Sequence, residues 1–229
     1  MDNASDLRLV RLLQLASPAL PVGAYSYSQG IEAAVEAGIV RDAGGASEWI
    51  GDVLELSMAR MEAPLVLRLH EAWGADDVQT VHAWNALLLA SRESAELRAE
   101  TVQMGYSLVR LLVDIGDFHS RALAALRSLE EPTFAAAFAF AAAKWKISAG
   151  AALIAYLWAW LENQVLAAVK LVPLGQTDGQ RLLHAIGGRL DRFVSAAAAL
   201  DDDDLGSYMP GLAILSSRHE TQYSRLFRS

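Results

Sequence analysis

The sequence predicts an all-α fold, a single-domain helical bundle of roughly eight to ten helices. Three observations carry this. Apolar residues recur at three- and four-residue spacing along almost the whole chain. No stretch shows the two-residue alternation of a half-buried strand. No linker is long enough to divide the 229 residues into two units, and a chain of that length buries roughly 70% of its unfolded surface without disulfide staples.

The elements follow in order. Leu9, Leu12, Leu13 and Ala16 mark a first helix that stops at Ser17-Pro18. The loop after it carries Pro18 and Pro21, which fix φ and remove two backbone donors. Gly23 permits a backbone shape closed to other residues. A second helix starts near Ser28, with Ser26 and Gln29 as a capping box, and runs through Ile31, Ala34 and Val35 to Gly38. Ser47 is the expected cap of a third, carrying Trp49, Ile50, Val53 and Leu54, and Pro64 kinks it or begins another. Asp76 or Asp77 caps a helix through Val78, Val81 and Leu88.

Leu97, Thr101, Met104, Leu108, Leu111 and Ile115 form the clearest apolar stripe, with Arg92, Glu96, Glu100 and Arg110 largely off it. Glu131-Pro132-Thr133 restarts the helical pattern. The richest apolar run, Ile147–Leu161, is broken by Glu162-Asn163-Gln164. A membrane span needs about 20 apolar residues, so this run reads as a buried central helix. Part of its face, Trp158 or Trp160, is a candidate for burial in a complex. Leu182, Ile186, Leu190, Phe193, Ala197 and Leu200 form a last stripe, bent or closely approached at Gly187-Gly188.

Composition excludes several functions. With no cysteine, the chain has no disulfides, thiolate metal ligands or cysteine nucleophile. A net charge of −8 argues against nucleic-acid binding, which favours a basic face. The acidic start, Met-Asp-Asn-Ala-Ser-Asp, lacks the basic and apolar regions of a signal peptide, so a cytoplasmic, membrane-free protein is expected. Asp201–Asp204 reads as a solvated loop, because a calcium loop needs ligands at fixed spacing around a turn glycine. His219-Glu220 opens like a zinc-protease motif, but Tyr223 stands where the second histidine belongs. His70, His82, His119 and His184 have no helical metal spacing. There is no phosphate-binding Gly-x-x-x-x-Gly-Lys loop, so nucleotide chemistry belongs to a partner.

What remains is a binding chemistry. Tyr25 and Tyr27 are amphipathic and suit a contact surface or a channel mouth. Arg218, Arg225 and Arg228 alternate with Tyr223, Leu226 and Phe227. Arginine and aromatics anchor protein interfaces. Residues 212–229 are therefore expected to be a partner-binding tail ordered on association, the alternative being a tail folded onto its own domain. Lys170, closing a helix before Pro173 and Gly175, is an ordinary C-terminal cation or a contact.

Four blocks carry a family resemblance. They are Leu15–Glu32, Ser91-Arg92-Glu93-Ser94-Ala95-Glu96-Leu97-Arg98, Val169–Gln176 and Ser217–Ser229. In that order they resemble the urease accessory proteins of the UreF type. The resemblance implies a non-enzymatic, dimeric nickel-assembly factor that binds UreD/UreH, recruits the GTPase UreG and acts on apo-urease. It implies no tightly bound cofactor, only nickel in transit. It also implies a passage or GTPase contact at Pro21 and Tyr25, a tail arginine at Arg225 and a partner contact at Lys170. Arg218, His219, Glu220, Tyr223, Leu226 and Phe227 complete the expected contact set, with His219 a candidate for transient nickel contact. A purely structural adaptor and a direct nickel metallochaperone are the rival readings.

Overall fold

The computed structural model describes residues 3–229. Among them there is no strand, and helices account for the core. Helix α1 (Asn3–Ala16) leads into a loop with a single 3-10 turn at Ala24–Ser26, then α2 (Ile31–Glu36). Helix α3 (Ala43–Val53), a π-helical segment (Leu54–Glu62) and α4 (Ala63–Gly74) run on without a break. Next come α5 (Val78–Ala90), α6 (Ala95–Ile115), α7 (Ser120–Arg127), α8 (Phe134–Lys144) and α9 (Ala149–Leu171). The chain closes with α10 (Gln176–Gly187), α11 (Leu190–Ala199) and α12 (Pro210–His219).

The centre is α8, packed between α4 and α6. Residues 135–143 are all buried. Seven of these nine are alanines, which let the neighbouring backbones come close. Trp73 of α4 donates its indole N–H to the Ala136 carbonyl at 2.9 Å, and its ring meets Phe140 edge-on at 5.0 Å. Against α6 the approach is tighter still. A Cβ on Gly105 would lie 1.9 Å from the Pro132 carbonyl oxygen, so only glycine fits there. Helix α9, the long apolar one, touches α1, α2, α3, α4, α8, α10 and α11. It is long and apolar enough to cross a membrane, but here it is the hub of the bundle. Trp160 is buried within the chain, and Trp158 packs against Gly187.

The π-helical segment has a cause in the sequence. Pro64 has no N–H, so the Arg60 carbonyl loses the donor it would have in an α-helix. Gly206 supplies one from the other end of the chain, at 3.2 Å, and Tyr208 donates to the Leu56 carbonyl at 2.9 Å. The guanidinium of Arg60 covers the Tyr208 ring at 4.4 Å. A wide turn of this kind often marks a functional position; here it ends at Glu62, which faces the interior.

Several caps are as expected. Asp77 accepts from Thr80 N at 3.1 Å, and Pro64 lies in the first turn of α4. Two caps differ. Asp42, not Ser47, caps α3, accepting from Gly45 N at 2.9 Å. The capping box at Ser26 and Gln29 does not form: α2 starts at Ile31 behind Gly30, with no side-chain cap. Gln29 instead adopts a left-handed backbone (φ 51°) and sends its side chain into the core.

Replacing Gly105 with alanine is expected to destabilise the fold by at least about 2 kcal/mol, because the clash is with backbone rather than with a flexible side chain. Urea unfolding measures it, and an unchanged midpoint would contradict this packing of α6 on α8.

Candidate functional site

The loop after α1 is anchored at two points. Val22 and Tyr27 are buried. Tyr27 donates from its hydroxyl to Gln103 at 2.7 Å, and Asn163 of α9 donates to the Tyr27 carbonyl at 2.9 Å. Gly23 takes φ 79° to make the turn between these anchors. Pro21 and Tyr25 stay exposed, Tyr25 at 68%.

Beneath the loop lies a cavity of about 90 Å³. Its walls are apolar, with Leu15, Leu20, Met104 and Leu166 among them, and Tyr25 stands at its edge. Its floor is charged. Arg92 donates to Glu62 at 2.5 Å, and the Tyr156 hydroxyl donates to the other Glu62 oxygen. Glu100, 3% exposed, accepts from the Gln29 amide at 2.5 Å and from the Ser229 hydroxyl at 2.9 Å. Trp160 donates to the Gln29 carbonyl oxygen.

Burial pushes the Glu100 carboxyl up to about 7, against the Gln29 and Ser229 hydrogen bonds and the Arg92 charge, which favour the ionised form. Burial and then Glu62 push the Tyr156 hydroxyl well up. Burial opposes the charge on Arg92, but Glu62 and Tyr156 outweigh it, and its pKa is raised. Arg92 and Thr101 line the cavity, and the buried Arg92 Nε and Thr101 Oγ1 find no hydrogen-bond partner among the described residues. They therefore suit ordered water or a small polar guest.

The tail is not free. It folds back over α2 and the start of α6, which corrects the expectation of a segment ordered only on association. The reason is electrostatic. Glu32 of α2 is buried, and its carboxylate accepts from the backbone N–H groups of Leu226 at 2.6 Å and Phe227 at 2.9 Å. His219, fully buried, lies between Glu96 at 2.6 Å and Glu32 at 3.1 Å. An imidazolium donates to both carboxylates; a neutral ring donates to one only. Arg225 pairs with the second Glu96 oxygen at 2.6 Å. Glu220 accepts from Ala95 N at 2.8 Å, at the positive end of α6. Farther on, Arg228 N donates to the Ser26 carbonyl at 2.8 Å, and Ser28 N donates to the Ser229 carbonyl at 2.8 Å. Phe227 is buried beneath Lys170, whose ammonium sits 5.4 Å from the ring centroid.

So His219, Glu220, Arg225, Phe227 and Lys170 come together as a latch. Tyr25 and Pro21 lie on the loop that the latch pins at residues 26–28. Arg218 is exposed on α12, Leu226 is 64% exposed and Tyr223 is 105% exposed, pointing wholly outward. Arg225 does not line the cavity that Tyr25 borders. Among the described residues no three His, Asp or Glu side chains form a group able to hold a metal ion. Reading the sequence missed Glu32, Glu62, Glu96, Glu100, Arg92 and Gln29. The signal for Glu100 was present: it lies three residues after Leu97 and four before Met104, on the edge of the apolar stripe.

Comparison with known proteins bears on this arrangement. A family model described as UreF matches residues 40–187. A urease accessory protein UreF from Azoarcus sp. (strain BH72) is 61% identical over 225 residues, 97% of this chain and 96% of the relative. The chain belongs to the UreF family. A UreF from Dechloromonas aromatica (strain RCB) is 53% identical over 224 residues, 97% of this chain and 98% of the relative. One from Methylobacillus flagellatus is 48% identical over 221 residues, 96% and 97% of the two chains. Membership places the chain in urease maturation. The matches to the relatives span 96–97% of this chain and so reach well beyond the residues 40–187 of the family model.

Glu32→Gln puts an amide N–H₂ against donors and is expected to release the tail. Amide hydrogen exchange at Leu226 and Phe227 should speed up by roughly 100-fold, about 3 kcal/mol of lost protection. Unchanged protection there would mean that Glu32 does not hold the latch.

Proposed function

We propose that this chain is a non-enzymatic assembly factor that binds UreD/UreH and recruits the GTPase UreG to apo-urease. The observation that supports it most is the outward face of the latch. Tyr223 and Leu226 are held exposed on a segment whose other side is fixed by buried carboxylates. An ordered aromatic and an ordered leucine bind without a large ordering cost, and such side chains dominate interface energies. Lys170 and Arg218 add exposed cations near the same segment.

Nickel is cargo in this reading, not a resident metal. The latch and loop couple partner docking to the cavity through Gln29 and Glu100. For UreG recruitment to be regulatory, the chain must bind one nucleotide state of the GTPase better than another, since equal affinity shifts nothing. The homodimer fits an exposed apolar row on α1, Leu7, Leu9, Val10 and Leu13. A cytoplasmic location fits the maturation of a cytoplasmic enzyme.

Tyr223→Ala should leave stability within about 0.5 kcal/mol, because the side chain is fully exposed. It should weaken co-purification of UreD/UreH roughly tenfold or more and lower urease activation in cells carrying the full accessory set. Wild-type binding by Tyr223→Ala and by Leu226→Ala would remove the tail from the interface. The double variant Tyr25→Ala, Arg225→Ala tests the passage role, in the loop and the latched tail together: normal activation with the complex intact rules out a passage role for these two.

A further inference from the structure

Residues 26–30 have the local sequence for one conformation and are held in another. Ser26 and Gln29 have the spacing of a capping box, in which the serine hydroxyl accepts from the Gln29 N–H and the glutamine side chain reaches back. Instead Tyr27 is extended (φ −121°, ψ 134°), and Gln29 and Gly30 are left-handed (φ 51° and 85°). A helix needs φ of about −60° at both positions, so the two forms exclude each other. Left-handed backbone is ordinary for glycine and costly for glutamine. Helix α2 is cut short by it. Only six residues remain, and its first two donors make long bonds to Ser28, 3.3 Å to the carbonyl and 3.4 Å to the hydroxyl.

The tail holds the extended form from both sides of Tyr27. Arg228 N donates to the Ser26 carbonyl, and Ser28 N donates to the Ser229 carbonyl, both at 2.8 Å. The Ser28 hydroxyl donates to that same Ser229 oxygen. The Ser229 hydroxyl shares Glu100 with the Gln29 amide, and so braces the side chain whose backbone is strained.

We propose that residues 26–30 are a two-state hinge set by the tail, extended while the tail is latched and wound on as a new first turn of α2 when the tail leaves. The hinge is built from this chain's own segments and holds whichever partner draws the tail away.

Without the tail, the extended form keeps three attachments. Tyr27 donates to Gln103 at 2.7 Å, Asn163 donates to the Tyr27 carbonyl at 2.9 Å, and Gln29 bridges Glu100 and Trp160. The helical form gains the capping box, relieves the backbone of Gln29 and lengthens a helix too short to stand alone. Gly30 passes between the two forms without strain. Tyr27 leaves its buried place, and its amphipathic ring suits a half-wet one. Gln29 lines the cavity beneath the loop. Winding the turn withdraws it from Glu100 and Trp160, so the cavity loses part of its wall when the tail departs.

Ser26 meets the tail through its carbonyl, so Ser26→Ala keeps the closed contacts and removes only the cap of the open form. Amide hydrogen exchange at Phe227 and Arg228 in the full chain should therefore slow by roughly fivefold, the contribution of an N-cap serine. Ser26→Asn, an equally good cap, should exchange as the wild type does. A serine that merely shapes the loop gives unchanged or faster exchange on its loss, and either result overturns the hinge. The full chain with Glu32→Gln and Phe227→Ala, which lacks the carboxylate and the ring that hold the tail, gives a second reading. Carbon-13 Cα shifts of residues 27–29 at helical values support the hinge; the extended values of the wild type overturn it.

Discussion

Arg92 stands just ahead of α6, and its guanidinium reaches across to a carboxylate on the π-helical segment. Most of the candidate site is placed by that contact. A buried ion pair contributes little net stability, but removing one partner leaves an uncompensated charge and costs several kcal/mol. The pair therefore acts as a constraint on position more than as a source of stability. It fixes Glu62 so that Tyr156 of α9 can donate to it. It brings the start of α6 inward so that Ser94 caps the helix and meets Ser216 of α12 at 2.6 Å. With α6 so placed, Glu96 and Glu100 face the tail one helical turn apart. The latch is built on that one edge.

The two carboxylates of the latch and the two of the cavity do different work. Glu32 and Glu96 are matched by donors, His219, Arg225 and two backbone amides, so their charge is used in full. Glu62 and Glu100 share Arg92 and are not matched. Evenly satisfied charge gives a rigid clasp; on the cavity floor burial pushes the Glu100 carboxyl up instead. Gln29 joins the two regions, since it holds Glu100 while lying on the loop that the tail pins. Its left-handed backbone is unusual outside glycine, and the side-chain bonds to Glu100 and Trp160 offset that cost.

The helices were legible because they rest on local signals. The stripe from Leu97 through Leu108 is buried as read, Asp77 caps where an acid before Val78 was expected, and the central run around Leu153 and Leu157 is core. The site was legible only as blocks. The Tyr25 loop and the Arg225 tail stood out by composition, yet nothing in either shows that residues 28 and 229 touch. Contacts at such separation depend on where the bundle sends each chain segment. Ser26 and Gln29 had the spacing of a capping box, and a tertiary partner, Glu100, outcompeted the local bond. Glu100 itself reads as largely off the stripe, a position where a glutamate is usually solvated.

The pairing of Ser28 with Ser229 spans 201 residues, and Gly206 completes a carbonyl left open by Pro64. During synthesis, the N-terminal loop and the π-helical turn both wait for segments translated late. The early helices α3, α4 and α8 carry enough apolar surface to collapse first, whereas closure of so long a loop is slow and entropically opposed. A chain halted before residue 206 therefore presents helices already formed beside a loop and a wide turn that still lack their closing partners.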